Sequence, residues 1–179
     1  MTVFSLTLSL QSNDFELFAV PEQFAQERAI VDARWKELQR EAHPDKFAAQ
    51  GQAAQRIAMQ WSVRINEAYQ RLKDPLKRAA YLCELRGAPI NAETNTAMPA
   101  EFLLEQMEWR ETLAEASDLA GISLLEARLN DARRQLQVRI EKLLDASNDA
   151  AAAAEQVRAL MFIERFGQDV AQRAAQLGQ

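Results

Sequence analysis

His43-Pro44-Asp45 sets an imidazole and a carboxylate on either side of a rigid ring. Residues of these types can move a proton, hold a metal ion or present a stiff recognition surface. A general base needs an oriented partner within hydrogen-bond reach in a pocket, and a turn between two helices offers none. A zinc ion needs several ligands, yet His43 is the only histidine and Cys83, the only cysteine, lies far along the chain. Pro44 disfavours helical geometry at His43 and has no N–H to donate, so a helix arriving there ends. Asp45 suits the exposed turn that follows. Alone, the tripeptide reads as an ordinary helix–helix loop, and its surroundings decide between that and a recognition tip.

Those surroundings are amphipathic. Asn13 or Asp14 caps a short helix holding Phe15, Leu17 and Phe18 before Pro21. The spacing of Phe24, Val31, Trp35, Leu38 and Ala42 predicts a helix from about Glu22 to Ala42 with one buried stripe. Lys36 and Arg40 point away from that stripe, which on its own describes a solvated face. Ile57, Trp61, Ile65, Ala68 and Leu72 predict a second long helix from about Ala53 to Lys73. Packed antiparallel, the pair puts His43-Pro44-Asp45 at the end of a hairpin. Asp74-Pro75 stops the second helix, and Leu76 to Leu85 forms a short third one.

Composition narrows the class. The 179 residues are 48% hydrophobic and 26% charged, as in a globular protein, and five glycines with five prolines favour long helices over a turn-rich β fold. One cysteine excludes an internal disulfide and an internally held iron–sulfur cluster. No segment is long and apolar enough to span a membrane, and no basic residue precedes Arg28, so a cytoplasmic protein without a leader is expected, with residues 1–12 as a short extension. Residues 1–90 carry 12 basic and 11 acidic side chains, whereas 91–179 carry 9 and 15. That acidic second half argues against a nucleic-acid partner, which needs a basic footprint.

Gly87, Pro89, Asn91 and Pro99, without apolar periodicity around them, mark residues 87–99 as a linker between domains. Beyond it three helices are expected over about 100–117, 123–146 and 149–177. Ser123-Leu124-Leu125-Glu126 fits a capping box opening the second, whose buried stripe is Leu125, Leu129, Ala132, Leu136, Ile140 and Leu143. Gly167 is a point where the third can bend. Nothing has strand spacing, so the chain is expected to be all-α.

On the helix from residue 100, Phe102, Trp109, Leu113 and Ala116 share the side assigned to the core. Leu104, Glu108, Glu111 and Glu115 fall on the opposite side, with Leu103 and Met107 beside them. Periodicity leaves two readings of equal weight: an acid-rimmed apolar strip for a partner, or peripheral core with glutamates for solubility.

Resemblance adds to this. Trp35 to Phe47, Ile65-Asn66-Glu67-Ala68-Tyr69-Gln70-Arg71-Leu72-Lys73-Asp74-Pro75 and Arg78-Ala79-Ala80-Tyr81-Leu82 together resemble the J-domain signature over most of residues 13–86. The resemblance implies a hairpin that docks on a DnaK-type chaperone and stimulates its ATPase. His43, Pro44 and Asp45 would be the trigger, and Lys36, Arg40 and Lys46 the complementary charge. Phe102-Leu103-Leu104-Glu105-Gln106-Met107-Glu108-Trp109-Arg110-Glu111 is similar to a helix of the HscB family, J-domain co-chaperones of iron–sulfur cluster assembly. That likeness implies a bundle over 100–179 that carries an IscU-type scaffold to an HscA-type chaperone. Scaffold contacts would be Leu103, Leu104, Met107, Glu108, Glu111 and Glu115, joined by Phe162 on the last helix. The chain departs from relatives in its N-terminal extension and in the alanine-rich run before Phe162. It lacks the paired cysteines of some relatives and the Gly/Phe-rich and zinc-finger regions of general DnaJ proteins. A dedicated client is therefore expected, with no metal, no cofactor and no enzymatic activity.

Overall fold

The computed structural model describes residues 9–178, and the expectation for residues 1–8 of the extension lies outside them. Among the described residues the secondary structure is entirely helical, and the chain divides into two compact units, up to Arg78 and from Ala79 onward.

In the first unit, α1 (Asp14–Phe18) opens with a reciprocal cap: the Glu16 N–H donates to Asn13 Oδ1 at 2.9 Å, and the Asn13 N–H donates to Glu16 Oε2 at 3.0 Å. α2 (Arg28–Glu41) and α3 (Gln52–Lys73) form the hairpin. Their order is antiparallel, since Arg28 reaches Tyr69 while Gln39 reaches Ser62. Phe15, Leu17 and Phe18 of α1, Val31 and Leu38 of α2, and Trp61, Ile65 and Leu72 of α3 are buried.

Two local expectations are corrected here. α2 starts at Arg28, not Glu22, and residues 22–27 form a loop held by local side-chain bonds and one from a distant arginine. Gln26 Nε2 donates to the carbonyls of Pro21 and Gln23, and Arg78 donates to the carbonyl of Phe24, whose ring it also covers at 5.0 Å. Phe24 is buried from a loop. Ile57 is 55% exposed, and Ala58 takes its place in the stripe. Seven residues from Ile65, Ala58 returns to within about 20° of it at 3.6 residues per turn, whereas Ile57 lies about 80° away.

Sequence periodicity gave no sign of the charge buried in this unit. Asp14, fully buried, pairs with Arg64 Nη1 at 2.7 Å and accepts from Arg71 Nη2 at 2.9 Å. Arg64 also donates to the carbonyls of Leu10 and Ser12, tying the chain before α1 to α3.

The division between units falls inside α4 (Pro75–Leu85), upstream of the 87–99 segment. Just past α4, Arg86 already donates to the Leu144 carbonyl of the second unit. That unit is a bundle of α5 (Ala100–Glu115), α6 (Leu119–Glu141) and α7 (Ala150–Leu177). α5 runs alongside α7, with Phe102 on Phe162 and Arg173 donating to the Ala116 carbonyl at 2.9 Å, while α6 runs the other way.

α6 begins four residues before the predicted Ser123. Asp118 caps it by accepting from the Gly121 N–H at 2.8 Å, so Ser123 sits in the second turn. Leu143 is only half-buried, and Leu144 fills the core instead. Lys142–Ala146 forms a π turn, whose wider winding shifts the register there. α7 passes through Gly167 without interruption.

Residues 87–99 form turns and extended chain, held from above by one side chain. Arg158 of α7, 5% exposed, donates to the Ala97 carbonyl and, at 3.1 Å, to the Ile90 carbonyl. Its charge is solvated by backbone dipoles in place of water.

Candidate interaction sites

The tip is built from backbone constraints. α2 ends at Glu41, Ala42 is buried as its C-cap, and His43 turns to extended geometry (φ −63°, ψ 124°), as a residue before proline must. Pro44 then opens a 3₁₀ segment, Pro44–Gln50. His43 Nδ1 accepts from the Asp45 N–H at 3.3 Å and lies 3.6 Å from Asp45 Oδ2. The two side chains are 57% and 89% exposed, so imidazole and carboxylate stand in solvent beside each other. Lys36, Arg40 and Lys46 are exposed too, with Lys36 and Arg40 on the face of α2 opposite Val31 and Leu38. The structure thus brings the six predicted residues to one end and one outward face of the hairpin. Among the described residues, no group of three or more His, Cys, Asp or Glu is placed to hold a metal ion.

Side chains outside the prediction stiffen this hairpin. Tyr69 stacks on Trp35 (centroids 4.7 Å apart) and donates to Asp32 at 2.9 Å. Asp32 also pairs with Arg28 at 2.7 Å, and the Arg28 hydrogen bond holds its carboxyl below the usual range. The signal was available in Arg28 and Asp32 standing four apart, but Tyr69 as their shared partner needs the packed fold.

On α5 the predicted strip faces outward. Leu104 is 68% exposed, Met107 60% and Leu103 40%, and Glu108, Glu111 and Glu115 are exposed around them. Phe102, Trp109 and Ala116 are buried on the other side, whereas Leu113 is half-buried. Arg128 of α6 reaches Glu108 at 3.4 Å along one flank. Phe162 lies along the other flank, half-buried, edge-on to Phe102 and stacked on Phe166. Arg110 covers its ring at 5.3 Å, and Arg110, Phe162 and Phe166 line a groove of about 420 Å³. Phe162 therefore adjoins the strip through Arg110, at its edge and not among the glutamates.

A hairpin with a solvent-exposed His-Pro-Asp tip, in a chain that continues into a three-helix bundle, is the arrangement that the resemblance to J-domain co-chaperones implied. The family model described as the HSCB C-terminal oligomerisation domain matches residues 98–171. The co-chaperone protein HscB homologue of Burkholderia multivorans is 50% identical over 166 residues, covering 91% of this chain and 94% of that protein. That of Burkholderia thailandensis is 48% identical with the same coverage. Among solved structures, the chaperone HscB from Vibrio cholerae matches with a TM-score of 0.78 at 35% identity, covering 93% of this chain and 99% of that one. The human co-chaperone HscB matches with a TM-score of 0.85 at 26% identity, covering 93% and 84%. The chain belongs to the HscB family of co-chaperones. Among the described residues, no helix is long and apolar enough to cross a membrane.

Proposed function

We propose that this chain acts in the cytoplasm in iron–sulfur cluster assembly, binding an IscU-type scaffold and delivering it to an HscA-type chaperone of the DnaK family. Residues 13–86 serve as the J-domain: His43, Pro44 and Asp45 trigger ATP hydrolysis by that chaperone, and Lys36, Arg40 and Lys46 steer and orient the encounter. Residues 100–179 carry the scaffold on Leu103, Leu104, Met107, Glu108, Glu111 and Glu115, with Phe162 at the edge. The chain has no enzymatic activity of its own. It works by binding one nucleotide state of the chaperone better than the other, so that a bound scaffold and a docked tip shift the same population.

The observation that carries this reading is the pairing of two outward sites: a solvent-exposed tip in one unit, and three large apolar side chains exposed among carboxylates in the other. An ATPase assay of a purified HscA-type chaperone tests both. Scaffold and this chain together should stimulate hydrolysis more than either alone, and His43→Gln should abolish the contribution of this chain while its circular dichroism is unchanged. Equal stimulation by the variant would remove the trigger role. Absence of scaffold binding at micromolar concentration, with stimulation intact, would leave a J-domain co-chaperone with a different client.

A further inference from the structure

Between the buried stripe of α2 and the tip lies a hydrogen-bonded cluster that the two proposed sites do not use. Gln39, in the last turn of α2, engages both ends of its amide. Its Nε2 donates to the Ser62 carbonyl at 3.1 Å and to Asn66 Oδ1 at 2.8 Å, and its Oε1 accepts from Ser62 Oγ at 3.0 Å. The same Asn66 oxygen accepts from Trp35 Nε1 at 2.9 Å, so two residues of α2, one turn apart, share one anchor on α3.

Beyond Gln39, towards the tip, the contact between the two helices is apolar, made by Ala42 at the end of α2 with Ala58 and Trp61 of α3. Ala42 and Ala58 are buried, and Ile57 is turned to solvent. Apolar contacts are non-directional and set no single angle between the helix ends, whereas a satisfied amide cluster admits one arrangement. Among the described residues, Arg40, Glu41 and Ala42 make no side-chain hydrogen bond to α3, which leaves Gln39 as the last directional tie before His43. His43 follows four residues later, about 6 Å along the axis at 1.5 Å per residue.

We propose that Gln39 is a positioning residue: by clasping the end of α2 to Ser62 and Asn66 of α3, it fixes the direction in which His43-Pro44-Asp45 projects from the basic face of Lys36 and Arg40. Chaperone docking then has two separable parts. The basic face sets how much co-chaperone is needed, and the tip, aimed by Gln39, sets how far hydrolysis is accelerated once docked. The inference rests on the chaperone-stimulating reading above.

The test titrates full-length chain into the chaperone ATPase assay and separates the half-saturating concentration from the maximal rate. Gln39→Met keeps the length and removes all three bonds. Its maximal stimulation should fall about fivefold, the factor one net hydrogen bond is typically worth, with the half-saturating concentration changed less than about twofold. Lys36→Ala with Arg40→Ala should do the reverse. Ser62→Ala, a milder change to the same cluster, should lower the maximum as well. Combined with Gln39→Met it should add nothing further, since the two disable one unit. Wild-type chain that fails to stimulate would overturn the underlying reading. Wild-type stimulation matched by Gln39→Met, or losses from Gln39→Met and Ser62→Ala that simply add or that follow lowered thermal stability, would overturn the role of Gln39 and leave that reading standing.

Discussion

The hairpin tip and the outward face of α5 are both exposed, but for opposite reasons. His43-Pro44-Asp45 is exposed because the backbone has nowhere else to go: a proline ends α2, and the chain must turn before α3. The α5 strip is exposed although the fold gives it no need for apolar side chains. Phe102 and Trp109 already fill the bundle, so Leu104 and Met107 add nothing to the core. At the tip, then, exposure follows from local covalent geometry. On α5 the choice of residue type, made against the tendency of leucine and methionine to be buried, is itself the sign of a partner.

The units are also held differently, and this is where the comparison can be broken. The bundle depends on large apolar side chains, so Trp109→Ala should have the largest effect, about 3–5 kcal/mol of stability, read by thermal or urea unfolding. A loss below about 1 kcal/mol would mean that α5 is not anchored by its inner face. The hairpin unit adds to its apolar core a buried carboxylate paired with two arginines. Asp14→Ala leaves Arg64 and Arg71 without their carboxylate and should cost about 3 kcal/mol, at the low end for such a loss because Arg71 is 35% exposed and can turn to water. Asp14→Ala with unchanged stability would show the triad to be incidental.

The outward α5 face predicts the converse. Alanine at Leu104, Met107 and Glu108 together should weaken scaffold binding about tenfold or more, measured by calorimetry, while each change shifts stability within about 0.5 kcal/mol. A large fall in melting temperature would instead place these residues in the core. The smallest effect concerns Cys83, whose fully buried thiol is pushed up to about 11 by burial, against the opposing pull of Arg86 and Arg158. Between the ordinary thiol range and that value the unfolded chain loses its proton first. Stability should therefore decline as pH rises above about 8.5, by less than about 1.4 kcal/mol per pH unit, and Cys83→Ala should flatten that slope.

What sequence made legible was what local pattern controls. The tip, the hairpin, the inner face of α5 and the family resemblance all rest on residues close in the chain or repeated at helical spacing. The misreadings have two kinds of cause, side chains distant in the chain and local geometry that periodicity does not show. Glu22 to Glu27 look helical until Arg78, fifty-four positions away, takes the Phe24 carbonyl. Ser123 looks like a cap until Asp118 supplies one earlier, and Leu143 looks buried until a π turn substitutes Leu144. Asp14 reads as a helix-start residue, and its pairing with Arg64 and Arg71 exists only once α1 lies on α3. Phe162 is legible only through the family resemblance, since its place beside Arg110 depends on how α7 meets α5.

Arg158 has one more consequence. By gripping the carbonyls of Ile90 and Ala97 it turns the stretch between them into a closed loop whose stem is already fastened. Residues 91–96 are exposed throughout, and Asn91 starts the loop in left-handed geometry at φ 48°. Extra residues placed there lengthen only the loop, which changes closure entropy slowly. A fluorescent or affinity label inserted after Glu93 should thus be carried without loosening α7, giving a handle that leaves both His43 and the outward face of α5 unaltered.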